Sequence, residues 1–138
     1  MASDSSGSLV GDDPESHHLR SWPLSTRLRV ERPGDGTRLV LTVRGEIDLN
    51  TVEQLSDAAW TAFGHRPRAL AIDLSGVGFL GVVGLRELVA LLEPAAIFGC
   101  ALSVRDPSPA VRRVFELLPP PPQLRIETRS GWSRRPEE

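Results

Sequence analysis

Residues 73–92 read DLSGVGFLGVVGLRELVALL, and the spacing of apolar residues changes within this stretch from that of a strand to that of a helix. The overlapping segment 68–76, RALAIDLSG, is almost entirely apolar, which is typical of a strand at the centre of a sheet. One apolar helical face would consist of Leu85, Leu88, Val89 and Leu92. The tip between them, residues 81–84, reads GVVG and carries no polar side chain. The stretch therefore predicts a strand, a tight turn and a helix.

Upstream of this stretch, two segments alternate apolar and polar residues in the manner of strands. These are RLRVE at 27–31 and RLVLTVRGE at 38–46, and the turn sequence RPGDG between them predicts a β-hairpin. The next segment, NTVEQLSDAAWTAF at 50–63, predicts a first helix with Asn50 as N-cap and Gly64 as C-cap.

Downstream, Pro94 is expected to end or kink the second helix. CALSVRD at 100–106 predicts a further strand, and Ser108 followed by Pro109 predicts the start of a third helix. A last short strand is expected in QLRIET at 123–128.

The predicted order of elements is β-β-α-β-α-β-α-β, an α/β fold. Strands that alternate with crossover helices imply a mostly parallel sheet after the N-terminal hairpin, with the helices packed on one face. We expect one domain at residues 26–128, preceded by a mobile leader at 1–25 that is rich in Ser, Gly and Asp. Residues 129–138 are expected to form a flexible tail.

Charge is unevenly divided along the chain. Residues 1–25 carry a net charge of −3, residues 26–128 are neutral and residues 129–138 carry +1. A neutral domain offers no electrostatic reason to bind nucleic acid directly. Every one of the 16 Lys or Arg residues is arginine, which excludes Schiff-base lysines and the lysine of a phosphate-binding loop.

The sequence also bears on location. No apolar run approaches the roughly 18–20 residues of a transmembrane helix. The N-terminus lacks the basic start and apolar stretch of a signal peptide, so a cytoplasmic protein is expected. The single cysteine, Cys100, excludes an internal disulfide and lies in an apolar context, where it is expected to be a buried small hydrophobe.

Residues that could support catalysis or bind a metal are few and scattered. His17, His18, His65 and Cys100 do not form a metal-ligand pattern. Glu46 and Asp48 alternate at a strand end and could form a general acid–base pair, although a solvated strand terminus is the preferred interpretation. No nucleophile elbow and no phosphate-binding loop occurs. We therefore expect neither an enzyme nor a cofactor.

Three segments in the right order resemble the STAS domain, the fold of anti-sigma factor antagonists, over about residues 26–128. The first is the Gly-Glu-hydrophobic-Asp motif at Gly45, Glu46, Ile47, Asp48 and Leu49. The second is the strand-turn-helix motif, matched at 73–76 and at Phe79, Leu80, Gly84, Leu85 and Leu88. The third is SPAVRRVFELL at 108–118, which resembles the third helix of such domains.

The resemblance implies a protein that captures an anti-sigma factor, a kinase-like ATP-binding protein, and so frees a sigma factor. Family members that switch by phosphorylation carry a hydroxyl residue directly before the conserved Gly, and Val83 occupies that position here. Binding is therefore expected not to be switched by phosphorylation. The implied partner-binding face comprises Glu46, Asp48, Leu49, Asn50, Phe79, Gly81, Val82, Val83, Gly84 and Arg86.

Other interpretations remain open at this point. The chain could be a STAS subunit of a lipid- or anion-transport complex, or a sensor of nucleotides or other small molecules. A homodimer is also open. Val82 and Val83 could pack against the domain's own sheet rather than bind a partner. Trp60, on the polar side of the first helix, could anchor a partner, or its ring could lie over neighbouring side chains.

Overall fold

The structure, a computed structural model, describes residues 22–32 and 36–128. The strands are β1 (Ser25–Arg32), β2 (Arg38–Ile47), β3 (Ala69–Leu80), β4 (Ala101–Arg105) and β5 (Arg125–Glu127). The helices are α1 (Val52–Phe63), α2 (Val82–Ala90), α3 (Leu92–Ile97) and α4 (Pro109–Leu117). Most of the predicted leader and all of the predicted tail lie outside the described residues. Within the described residues, Leu24 is buried and β1 starts at Ser25.

The five strands form one sheet whose spatial order is the chain order, β1-β2-β3-β4-β5. β1 and β2 pair antiparallel, with Leu28 opposite Leu41, and the three remaining pairs are parallel. This arrangement confirms the predicted α/β fold, in which a hairpin is followed by crossover connections.

One face of the sheet carries the helices and the core. Apolar residues at alternate positions of the strands, such as Leu41, Ile72 and Val104, join a single buried cluster with residues from all four helices. The strand residues between them point to the opposite face. Two of these, Val40 and Ala71, are fully buried but lie outside the cluster.

Ion pairs cross the face opposite the helices. Arg105 Nη2 of β4 lies 2.9 Å from Glu31 Oε1 of β1, so the pair passes over β2 and β3. Arg38 Nη2 of β2 lies 2.9 Å from Glu127 Oε1 of β5. The side chain of Arg105 hydrogen bonds to that of Glu31, and this contact holds the pKa of the Glu31 carboxyl below its ordinary value. These pairs connect β1 with β4 and β2 with β5.

Two local predictions differ from the structure. The second helix was expected to end or kink at Pro94, but the interruption lies at Leu91, between α2 and α3. The proline ring clashes with the carbonyl four residues earlier, that of Ala90, so the helix breaks before the proline is reached. At the start of α1, the N-cap is Thr51 rather than Asn50, while Gly64 is the C-cap as expected.

Candidate functional site

The carboxyl ends of β2 and β3 lie side by side and bring two separate segments of the chain together. Ile47 at the end of β2 is paired with Leu80 at the end of β3. The amide of Gly81 then donates a hydrogen bond of 2.9 Å to the Ile47 carbonyl oxygen. The loop at 48–51 and the start of α2 are thereby held next to each other, as expected for parallel strands whose carboxyl ends share one edge.

The loop after β2 is fixed by two polar side chains. Asp48 Oδ1 accepts a hydrogen bond of 2.9 Å from the Asn50 amide, which closes an Asx turn. The hydroxyl of Thr51, which is buried, donates to the Glu46 carbonyl oxygen at 2.6 Å and accepts from the Asp48 amide at 3.0 Å. These bonds shape a tight loop that leaves Leu49 78% exposed. Asp48 is engaged in this loop, which argues against the acid–base role considered for it.

The tip at the start of α2 depends on two glycines. Gly81 is the N-cap of α2 in an extended conformation, and its carbonyl oxygen accepts hydrogen bonds from the amides of Gly84 and Leu85. Gly84 is buried against the ends of both strands. A Cβ at Gly84 would lie 2.6 Å from Leu80 Cδ1 and 2.7 Å from Ile47 Cγ2, so only glycine lets the helix approach this closely.

An apolar surface is exposed where the loop meets the tip. Phe79 is 49% exposed and Val82 is 56% exposed, next to the protruding Leu49. A shallow groove of about 380 Å³ runs among these side chains, and we call it the valine-tip groove. It is lined by Asp48, Leu49, Asn50, Phe79, Gly81, Val82 and Val83. The valines are therefore not simply packed against the domain's own sheet, since Val82 is more than half exposed and Val83 is partly exposed.

The remaining three predicted face residues occupy other positions. Glu46 is exposed on β2, paired with Phe79 of β3 at the border of the groove. Gly84 is buried and positions α2 rather than forming surface. Arg86 lies on another side of α2, where it lines a second groove of about 590 Å³.

This second groove was not anticipated from the sequence. Its lining is mainly apolar and consists of Leu85, Arg86, Val89, Ala90, Leu118, Pro119, Pro120 and Pro121. Its prolines belong to the run of four prolines at residues 119–122, which follows α4. The signal that could have indicated a surface was the pair Leu117 and Leu118, which are 69% and 46% exposed at the end of α4.

Trp60 lies away from the valine-tip groove. It is near the C-terminal end of α1, whereas the loop at 48–51 precedes the N-terminal end. Its ring makes edge-to-face contacts with Phe63 and Phe98, at centroid distances of 5.9 and 6.0 Å. Half of the side chain is covered in this way, which favours the interpretation that the ring lies over its neighbours.

The described residues offer little for bond-making chemistry. Within 22–32 and 36–128, no group of three or more His, Cys, Asp or Glu side chains could hold a metal ion. Burial raises the pKa of the Cys100 thiol to about 11, so almost none of it is thiolate at neutral pH. In the same part of the chain, no helix is long and apolar enough to span a membrane.

Comparison with known proteins identifies the relatives of this chain. The family described as "Mlab, STAS domain" matches residues 30–119. Over 54 residues, the chain is 50% identical to the anti-sigma-F factor antagonist RsfB of Mycobacterium tuberculosis, in strains CDC 1551 / Oshkosh and ATCC 25618 / H37Rv. That match covers 39% of this chain and 44% of the relatives' length, so the chain spans less than half of the curated relatives it matches.

Two solved structures resemble the fold. The crystal structure of an anti-sigma factor antagonist from Mycobacterium paratuberculosis superposes with a TM-score of 0.60 at 34% identity, covering 75% of this chain and 85% of that one. The unphosphorylated form of the anti-sigma factor antagonist SpoIIAA superposes with a TM-score of 0.54 at 22% identity, covering 72% and 87%. The second likeness concerns the fold alone. With the family matched over residues 30–119 and a solved relative matched over most of its length, the chain belongs to the STAS domain family.

Proposed function

We propose that this chain binds an anti-sigma factor through the valine-tip groove and thereby releases a sigma factor. The observation that carries the proposal is the joint exposure of Leu49, Phe79 and Val82 at the junction of β2, β3 and α2. The RsfB relatives and the solved mycobacterial relative, named anti-sigma factor antagonists, support the choice of partner. The proposed role requires a cytoplasmic location.

The groove has the physical properties of a small protein-binding site. Large apolar side chains that lie exposed side by side commonly mark an interaction surface. Burying one valine or leucine side chain completely contributes roughly 1.5–3 kcal/mol. Gly81 lines the groove without adding a side chain, so the backbone of a partner could approach closely. The apolar cluster would be the centre of the interface.

The border of the groove suggests the charge of the partner. Glu46 is exposed beside Phe79, and Asp48 lines the groove itself. Complementary charges at the rim of an interface speed association and exclude wrong partners. We therefore expect the partner to present an apolar pocket with basic residues at its edge.

The same tip lacks the means for a phosphorylation switch. A phosphate at the N-terminus of α2 would be stabilised by the helix dipole and free amides. However, Gly81, Val82 and Val83 offer no hydroxyl to accept it. Kinase activity of the partner could not then relieve binding. The amount of anti-sigma factor captured would instead depend on the concentration of this protein, by mass action.

The test is a pull-down from extracts of the native cells with the tagged full chain, with and without ATP, followed by mass spectrometry. We expect an ATP-binding anti-sigma factor to be retained equally under both conditions. The purified pair should then give the same dissociation constant by calorimetry after incubation with ATP. Release of the factor by ATP would contradict the unswitched binding. Recovery of a membrane permease or its ATPase instead would assign the chain to a transport complex.

A further inference from the structure

The face of the sheet opposite the helices is rich in arginine. Strand pairing, the alternation of side chains along β2 and the cross-sheet ion pairs place six arginines and four acids of the described residues on this surface, which we call the arginine face. The arginines are Arg27, Arg29, Arg38, Arg44, Arg105 and Arg125, and the acids are Glu31, Glu46, Asp73 and Glu127. The arginine face carries a net charge of +2, although residues 26–128 as a whole are neutral.

Only part of this charge is compensated within the domain. Arg38 and Arg105 share the carboxylates of Glu31 and Glu127. The other four arginines are exposed, and none of them forms an ion pair with another residue of 22–32 or 36–128. They are Arg27, Arg29, Arg44 and Arg125. Positive charges at neighbouring positions of a sheet repel each other unless an anion lies between them.

Three of the arginines that form no ion pair within the described residues are grouped on the hairpin, and one of them, Arg29, is close enough to Glu31 to help lower the pKa of that carboxyl. Arg27 and Arg29 alternate along β1, opposite Thr42 and Val40 of β2. Arg44 follows on β2, and its side chain lies over Gly76 of β3, where a Cβ would be 2.9 Å from Arg44 Cγ. Because strands are about 4.8 Å apart and alternate residues about 7 Å apart, these three side chains form one cluster.

The chain itself supplies a segment of matching charge. Residues 1–21 contain one arginine and four acids, Asp4, Asp12, Asp13 and Glu15, which gives a net charge of −3. This segment is connected to the domain next to the cluster of hairpin arginines, because Ser25 is paired with Arg44 in the hairpin. The position is fixed by a hydrogen bond of 2.8 Å from the Leu24 amide to Gln54 Oε1.

The segment at residues 1–21 is long enough to reach the cluster of hairpin arginines. Ten residues separate Glu15 from Ser25, and a chain of that length can extend to about 33 Å. The five strands of the sheet are only about 19 Å wide from first to last. Asp12, Asp13 and Glu15 can therefore approach any arginine of the cluster.

We propose that the acidic segment at residues 1–21 binds the arginine face of its own domain, with Asp12, Asp13 and Glu15 over Arg27, Arg29 and Arg44. A segment tethered in this way acts at an effective concentration of about millimolar, so that weak individual contacts are sufficient. The bound segment also competes with other polyanions for the arginine face. The valine-tip groove is lined by the loop after β2, by Phe79 and by the start of α2, so the two proposals concern different residues.

The experiment places a spin label on the full chain at Ser16→Cys in a Cys100→Ala background. Paramagnetic broadening of the arginine Nε–H signals is then recorded by NMR. Arg27, Arg29 and Arg44 are expected to lose most of their signal intensity. Arg112 and Arg113 of α4, on the helical side, should keep theirs. The broadening should disappear in the variant Asp12→Asn/Asp13→Asn/Glu15→Gln, and also at high salt, because added ions screen exposed charges.

Three results would overturn the proposal. The first is broadening that is absent or equal on both sides of the sheet, and the second is broadening that survives neutralisation of the three acids. The third is equal, tight binding of single-stranded oligothymidine by the unmodified chain and by the neutralised variant, which would assign the arginine face to nucleic acid. The proposal instead predicts that the neutralised variant binds this probe several-fold more tightly than the unmodified chain.

Discussion

Gly84 touches Ile47 so closely that no larger residue fits between α2 and the end of β2. A Cβ at position 84 would lie 2.7 Å from Ile47 Cγ2, with Leu80 Cδ1 equally close on the other side at 2.6 Å. Both neighbours belong to the core and are essentially inaccessible to solvent. The position of the valine-tip groove therefore depends on residue 84 being glycine, whose side chain is a single hydrogen atom.

Replacing Gly84 by alanine tests this contact. We expect Gly84→Ala to lower the free energy of unfolding by about 1–3 kcal/mol, because the added methyl group forces the buried neighbours apart. Urea denaturation followed by circular dichroism measures the difference. Gly78→Ala is the matched control, since a Cβ at Gly78 would meet no atom within 4 Å. Equal stability of the two variants would show that the contact relaxes without cost.

The variant Val82→Asp tests the groove as the binding surface. We expect the dissociation constant for the anti-sigma factor to rise at least about tenfold, which corresponds to about 1.4 kcal/mol. The physical reason is that an unpaired carboxylate would be buried in an apolar contact. Val82 is the first residue of α2, where a negative charge interacts favourably with the helix dipole, so folding should be preserved. Calorimetric titration gives the affinity.

Val30→Asp provides the control for that measurement. Val30 is as exposed as Val82, at 56%, but lies on β1, distant from the groove. The same charge at this position should leave the affinity unchanged. If both variants bound the factor as tightly as the unmodified chain, the valine-tip groove would not be the interface.

Thr51→Val tests how the loop beneath Leu49 is held. Valine has nearly the same shape but cannot replace the hydrogen bonds between Thr51 Oγ1, the Glu46 carbonyl oxygen and the Asp48 amide. Removing the hydroxyl partner of the Glu46 carbonyl and of the Asp48 amide should lower the free energy of unfolding by about 1–3 kcal/mol. Hydrogen exchange at the Asp48 amide should become faster. Thr61→Val, at an exposed position of α1, should change neither quantity, and an identical response of both variants would argue against the hydroxyl's role.

Glu31→Gln tests the ion pairs that cross the arginine face. Arg105 lowers the pKa of the Glu31 carboxyl in the folded protein, so the charged form contributes stability at pH values above its ordinary pKa of 4.5. We expect the variant to be less stable by about 0.5–1 kcal/mol at pH 7. The difference should shrink as the pH falls below 4.5 and through the lowered pKa. Unfolding measured from pH 7 to pH 3 gives this profile.

Asp57→Asn is the reference for the pH series. Asp57 is exposed on α1 and has no ion pair within the described residues. Its replacement should not reproduce the loss of stability at pH 7. A stability difference for Glu31→Gln that stayed constant down to pH 3 would contradict a charge-dependent contribution.

The sequence was sufficient to predict the order of the elements except for the separate helix α3, because most of them carry a strong periodic pattern. The hairpin has a turn sequence between alternating segments, β3 is a continuous apolar run, and α4 starts at a Ser-Pro pair. Ser108 is indeed the N-cap, and its hydroxyl accepts from the Val111 amide at 3.2 Å. Such signals lie within each element, so they predict it without knowledge of the tertiary contacts.

Other features depend on contacts that no local pattern contains. Asn50 was preferred as a cap by residue type, but the Asx turn of Asp48 shifts the helix start by one residue. The resemblance places Arg86 on the partner-binding face, and the structure shows that it lines the second groove. The alternation of arginines on β1 and β2 was visible in the sequence, but only the strand pairing gathers them on one surface.

The spatial order of the sheet has a consequence for synthesis on the ribosome. Because the strands lie in the order in which they are translated, each strand emerges after the neighbour with which it pairs. The pair between Glu31 and Arg105 is different, since 74 positions separate its partners. It cannot form until β4 has left the exit tunnel. During synthesis the hairpin therefore lacks the ion pair between Glu31 and Arg105 until most of the domain has been translated.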